Sequence, residues 1–92
     1  MISEEYVKEF GELLRELRLQ HGYSLNELSE KIGIYAGYLY RLEENRTHSP
    51  SVTLVVRLAN FFDIDPNIMI RAVLESGQRR KINERENNVE KR

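Results

Sequence analysis

The stretch Ser24-Leu25-Asn26-Glu27-Leu28-Ser29-Glu30-Lys31-Ile32-Gly33-Ile34-Tyr35-Ala36-Gly37-Tyr38-Leu39-Tyr40-Arg41-Leu42-Glu43 decides how this chain folds. It opens on Ser24-Leu25-Asn26-Glu27, the spacing of a capping box: the serine oxygen accepts the free N–H three residues on, and the glutamate reaches back. Behind it Leu25, Leu28 and Ile32 recur at helical spacing, so a short helix is expected over about residues 25–32. Gly33 then stops it, because glycine enters the left-handed conformation without a Cβ penalty. A second helix is expected over about residues 36–44, with Leu39 and Leu42 facing inward and Asn45 as its left-handed stop. Two short helices joined by a glycine bend are therefore the nucleus of the fold.

Outward from this pair the same period continues in both directions. Toward the N-terminus, Val7, Phe10, Leu14 and Leu17 share one helix face, with Ser3 as the expected N-cap and Gly22 as the stop. Toward the C-terminus, Thr47-His48-Ser49-Pro50-Ser51 is turn chemistry. Leu54, Val55, Leu58, Ala59 and Phe62 then form one face of a fourth helix. Asp65-Pro66 opens a fifth, the cap preceding a proline at the first helical position. Ile68, Met69, Ile70, Ala72, Val73 and Leu74 make it apolar on nearly every side, with Ile68 and Met69 expected to cover the core and Gly77 to end it. No stretch alternates with period two for long enough to be a strand. The expected fold is a compact all-α domain of five helices.

The chain has 92 residues, 40% of them hydrophobic and 32% charged, with no cysteine, no tryptophan and two histidines, His21 and His48. Length and composition fit one globular domain. The absence of cysteine excludes a disulfide framework and thiolate metal sites. No apolar run approaches the ~20 residues of a membrane span, and the acidic start, Met1 to Glu5, lacks the order of a signal peptide. A cytoplasmic protein with no membrane association is expected. The net charge of −1 is unevenly placed. Residues 1–75 carry eight bases against twelve acids, residues 76–92 six bases against three acids. The sequence therefore divides into a mildly acidic domain over 1–75 and a basic tail over 76–92. In that tail Ile82 and Val89 lie seven apart, a two-residue stripe that leaves helix formation open.

Two helices closed by a tight turn are the helix-turn-helix arrangement, in which the second helix of the pair enters the major groove of DNA. The chain from Phe10 to Ile70 resembles the lambda repressor/Cro-like (Xre) family of transcriptional regulators. The resemblance rests on Gly11-Glu12-Leu13-Leu14-Arg15-Glu16-Leu17-Arg18, on Gly22 through Gly33 with Glu27-Leu28 inside it, on Tyr38-Leu39-Tyr40-Arg41-Leu42-Glu43, on Ser49-Pro50-Ser51, and on Leu58-Ala59 through Ile64. It implies a five-helix DNA-binding domain, a homodimer, and a two-fold symmetric double-stranded operator.

The residues opposite Leu39 and Leu42 are Ala36, Gly37, Tyr40, Arg41 and Glu44. Ala36, Gly37, Tyr40 and Arg41 are the expected base-reading set. Arg41 leads it, because its planar fork fits the guanine O6/N7 pair. Ala36 and Gly37 permit close approach but supply no side-chain hydrogen bond. Phosphate contacts are expected from Ser24 and Asn26 at the start of the second helix, where free N–H groups attract anions. By resemblance, Arg46, Thr47, His48 and Ser51 form the other flank, with Tyr35 and Tyr38 as further candidates. The family often carries glutamine where this chain has Leu25, so that contact is not available here. The resemblance also places Arg18 and Glu43 as a partly buried ion pair tying the first helix to the third, and Asn45 where the family has a loop glycine.

A modest basic surface of Arg41, Arg46 and His48, with Lys31 nearby and Glu44 opposing, binds DNA weakly in single copy. Pairing of two copies is therefore required, and the apolar excess of Val56, Ile70, Val73 and Leu74 is the expected interface. No catalytic set, phosphate loop or metal-spaced cluster is present in the sequence, so neither an enzyme nor a cofactor is expected. Two rivals keep the fold and change the job: an adaptor or anti-repressor that binds a protein through the fifth helix or the tail, and an antitoxin.

Overall fold

The computed structural model describes residues 8–46 and 50–77. Four helices are α1 (Phe10–Gln20), α2 (Leu25–Ile32), α3 (Ala36–Glu43) and α4 (Val52–Phe61). A fifth, α5, covers residues 66–77. Among the described residues there is no strand.

The α2–α3 nucleus forms as its residues dictate. Ser24 Oγ accepts from Glu27 N at 3.0 Å, and Glu27 Oε1 accepts from Ser24 N at 2.8 Å, so two N–H groups at the start of α2 are satisfied reciprocally. Gly33 sits at φ 86°, and Ile34 N donates back to Ser29 O at 3.0 Å. This six-residue closure ends the helix and turns the chain into α3. α3 and α4 end the same way, but on side-chain-bearing residues: Asn45 at φ 56° and Asp63 at φ 57°. Behind them Arg46 N reaches Arg41 O, and Ile64 N reaches Ala59 O, each at 2.9 Å. Asp63 carried no stop signal in the sequence. Asparagine and aspartate tolerate this conformation because their short polar side chains bond locally.

One core joins the five helices. Leu14, Leu28, Leu39, Leu42, Leu58 and Met69 are fully buried, surrounded by Phe10, Leu17, Ile32, Leu54, Val55, Ala59, Phe62 and Ala72. Two expectations are corrected. Ile68 does not cover the core; it is 52% exposed, and Met69 and Ala72 point inward instead. The three-residue step from Met69 to Ala72 sets the buried stripe, and Ile68 is rotated off it by about 100°. The first helix starts at Phe10, not behind Ser3, since Lys8 and Glu9 are not helical. Ser3 and Val7 lie outside the described residues, as does the chain beyond residue 77.

The late start of α1 has a physical reason. Its N-cap, Glu9, makes no side-chain capping bond. The free N–H groups are instead capped from far along the chain. Phe10 N donates to Ser76 Oγ at 2.8 Å, and Gly11 N donates to Asn45 Oδ1 at 3.1 Å. Ser76 in turn donates to Ala72 O at 2.9 Å within α5. Charge alone groups Ser76 with the tail, yet its hydroxyl belongs to the packed domain.

α1 also crosses α3 at very short range. A Cβ on Gly11 would lie 2.3 Å from Glu43 O and 2.5 Å from Leu42 O. Only a residue without a side chain fits between these backbones. The α3 helix is thus pressed against α1 along one side, which leaves the opposite side outward.

Candidate nucleic-acid interface

α3 presents Gly37, Tyr40 and Arg41 as exposed residues, with Ala36 half-buried beside them. Leu39 and Leu42 hold the opposite face in the core. Among the described residues the Arg41 guanidinium has no carboxylate partner. The helix therefore offers one cationic fork and one phenol above a flat floor of glycine and alanine. Tyr35, the N-cap of α3, is 86% exposed and makes no side-chain cap bond. Tyr38 is half-buried and packs against the core, which limits what its ring can reach.

Two helix starts flank this surface in sequence. Ser24 and Ser51 are the N-caps of α2 and α4, and Ser51 Oγ accepts from Leu54 N at 3.1 Å. Both hydroxyls retain a hydrogen to donate, so capping and phosphate contact are compatible. Asn26 and Arg46 are exposed. Thr47 and His48 lie outside the described residues.

Behind the outward face sits an ion network. Arg18 Nε donates to Glu43 Oε2 at 2.7 Å, and Arg18 Nη2 donates to Glu43 Oε1 at 3.0 Å, a fork onto a carboxylate whose side chain is 1% exposed. Arg18 Nη1 also donates to Tyr23 O at 3.0 Å. Sequence reasoning missed the second arginine. Arg15 Nε donates to Glu43 Oε1 at 3.3 Å, and Arg15 Nη2 pairs with Glu44. Glu43 and Glu44 leave α3 in different directions, yet Arg15 reaches both. Hydrogen bonding to Glu44, then to Glu43, pushes the Arg15 pKa further up. A base raised in this way contributes stability that is fully present below its unfolded value and is lost only above the ordinary arginine range. The bridge is therefore charge-complete at neutral pH.

Arg57 was also missed. From α4 it donates to Ile32 O, the last carbonyl region of α2, and it lies against the Gly33 bend. A cation at a helix C-terminus satisfies both the free carbonyl and the dipole. Its signal in the sequence was only an arginine on an otherwise uncharged helix.

Comparison with known proteins fixes the class. A family model described as Helix-turn-helix matches residues 14–68. The chain belongs to the helix-turn-helix family. Among helix-turn-helix relatives, a Thermococcus kodakarensis protein classed as an HTH-type transcriptional regulatory protein is 38% identical over 74 residues, covering 77% of this chain and 23% of that protein. The HTH-type transcriptional regulator SinR of Bacillus subtilis is 30% identical over 60 residues, covering 65% of this chain and 54% of SinR. The chain thus spans about half the length of one curated relative and less than a quarter of the other. Solved structures agree in fold. SinR, a master regulator for biofilm formation, in complex with DNA superimposes with a TM-score of 0.61 at 30% identity, over 66% of this chain and 97% of that one. The restriction-modification controller protein C.AhdI from Aeromonas hydrophila gives 0.59 at 32% identity, over 65% and 89%.

Proposed function

We propose that this chain is a sequence-specific double-stranded DNA-binding transcriptional regulator, a cytoplasmic repressor that reads an operator major groove with α3 as a homodimer. The observation that carries the reading is Arg41, without a carboxylate partner among the described residues, on the outward face of the second helix of a helix-turn-helix pair. It is supported by the likeness to SinR, which has been solved in complex with DNA.

In this reading Arg41 donates both arms to a guanine, worth about 1–3 kcal/mol of discrimination. Tyr40 packs on a thymine methyl, and Ala36 and Gly37 let the helix seat deeply. Ser24, Asn26, Arg46 and Ser51, with Tyr35, Tyr38, Thr47 and His48, hold phosphates and set register without reading sequence. Few cations face the groove per subunit, so affinity requires two copies on half-sites about 34–36 Å apart. The pairing surface is built on Val56, Ile70, Val73 and Leu74. Leu74 is 62% exposed and the other three are half-buried.

One observation favours a second reading, a protein-binding adaptor or antitoxin that keeps the fold. Two of the four outward positions of α3 carry no polar side chain. Selection of randomised duplex DNA at two salt concentrations separates the readings. A recovered palindrome is expected, with the consensus relaxing at one base pair per half-site for Arg41→Ala. No enriched duplex at low salt would favour the protein-binding reading.

A further inference from the structure

Glu44 lies one helical turn beyond Arg41, at the end of α3. Residues three apart on a helix are surface neighbours whose side chains meet. An unrestrained Glu44 carboxylate would therefore pair with the Arg41 guanidinium and occupy the fork that should meet a base. It would also set a negative charge beside the phosphate backbone. No such pair forms in this structure. Glu44 pairs with Arg15 of α1, and Arg41 keeps no carboxylate partner among the described residues. Arg15 is held in place by its second bond, to Glu43 Oε1, an oxygen it shares with Arg18, which also takes Oε2.

We propose that Arg15 is a positioning residue for DNA recognition: it draws the Glu44 carboxylate toward α1 and so leaves Arg41 free to read the groove. This rests on the DNA-binding reading above and deepens it. Arg15 lies on α1, outside the helix-turn-helix pair, and acts only through Glu44. Its structural contribution is separable from this one, because Glu43 retains Arg18 when Arg15 is removed. The two arginines thus divide the work. Arg18 satisfies a buried carboxylate, and Arg15 restrains a surface one.

The test uses the duplex that the wild-type chain enriches from a randomised library, with Arg15→Ala, Arg15→Gln, Glu44→Gln and the Arg15→Ala/Glu44→Gln double variant. Thermal unfolding of each sets a working temperature at which all are folded; Arg15→Gln keeps the side-chain stem if the alanine variant unfolds. Arg15→Ala and Arg15→Gln are expected to weaken binding about tenfold, about 1.4 kcal/mol. Their reselected consensus should relax at the same base pair that Arg41→Ala relaxes. Glu44→Gln should restore both affinity and consensus in the double variant, and alone should shift affinity less than about threefold. A loss that Glu44→Gln does not rescue would mean that Arg15 touches phosphate directly, and would overturn the proposal. So would an unchanged consensus in the Arg15 variants. If the wild-type chain enriches no duplex, the DNA reading itself fails and this proposal falls with it, whereas a wild-type consensus indifferent to Arg15 removes only the proposal.

Discussion

Gly11 is the residue with the least chemistry and the sharpest constraint. The atoms a methyl group would strike, Glu43 O and Leu42 O, are backbone, so no rotamer change relieves the overlap. Gly11→Ala must force α1 away from α3, and it is expected to lose about 3 kcal/mol, read as a lowered urea midpoint at unchanged slope. A loss below about 1 kcal/mol would mean that the two helices separate easily. From the sequence Gly11 was only one letter in a family pattern, because helical propensity argues against glycine at that place. The Arg18–Glu43 pair was legible through the same resemblance. Arg15 was not, since an arginine among the glutamates of α1 is indistinguishable from a solvated charge until its partners across the helix crossing are known. Arg41 needed no partner to be read, since period alone sets it opposite Leu39 and Leu42.

At the scale of elements, helix ends divide by where their caps come from. α2 and α4 take theirs from the adjoining serine, a local signal that sequence carries openly. α1 takes its acceptors from Asn45 and Ser76, thirty-four and sixty-six residues away, which no local rule finds. This is why the α2 bounds followed from the sequence and the start of α1 did not. Each distant cap is expected to behave like a conventional one on removal. Ser76→Ala should cost about 1 kcal/mol by denaturant unfolding. Asn45→Gly keeps the left-handed turn and loses the acceptor for Gly11 N together with the donor to Glu9 Oε1, so it should cost at least as much, and Asn45→Ala more, because alanine also resists φ 56°. If Asn45→Gly were neutral, the turn alone would explain Asn45. The face of α5 was misjudged by one residue for a related reason: in a helix apolar all round, composition cannot say which stripe is buried.

For the molecule as a whole, charge and pairing are linked. An acidic chain with few groove-facing cations has little non-specific affinity per subunit, so the salt dependence per subunit should be shallow and binding should depend on association. Leu74→Asp tests this without disturbing the core, since Leu74 is largely exposed. Sedimentation should move from dimer toward monomer, with the melting temperature of the isolated domain little changed and operator affinity reduced more than tenfold. A monomeric wild-type chain at high micromolar concentration, with and without DNA, would sink the dimer.

The bond between Phe10 N and Ser76 Oγ brings the first turn of the first helix to the last described turn of the fifth. The described domain is therefore a closed circuit, with its entry and exit at a single point. A unit whose first and last described turns meet in this way suits carriage within a longer polypeptide. In two relatives the matched region makes up 54% and 23% of the protein, so it is part of a longer polypeptide there. The same closure makes the Phe10 amide a remote gauge of α5: hydrogen exchange there should quicken whenever the fifth helix lifts, though the reporter sits at the other end of the sequence.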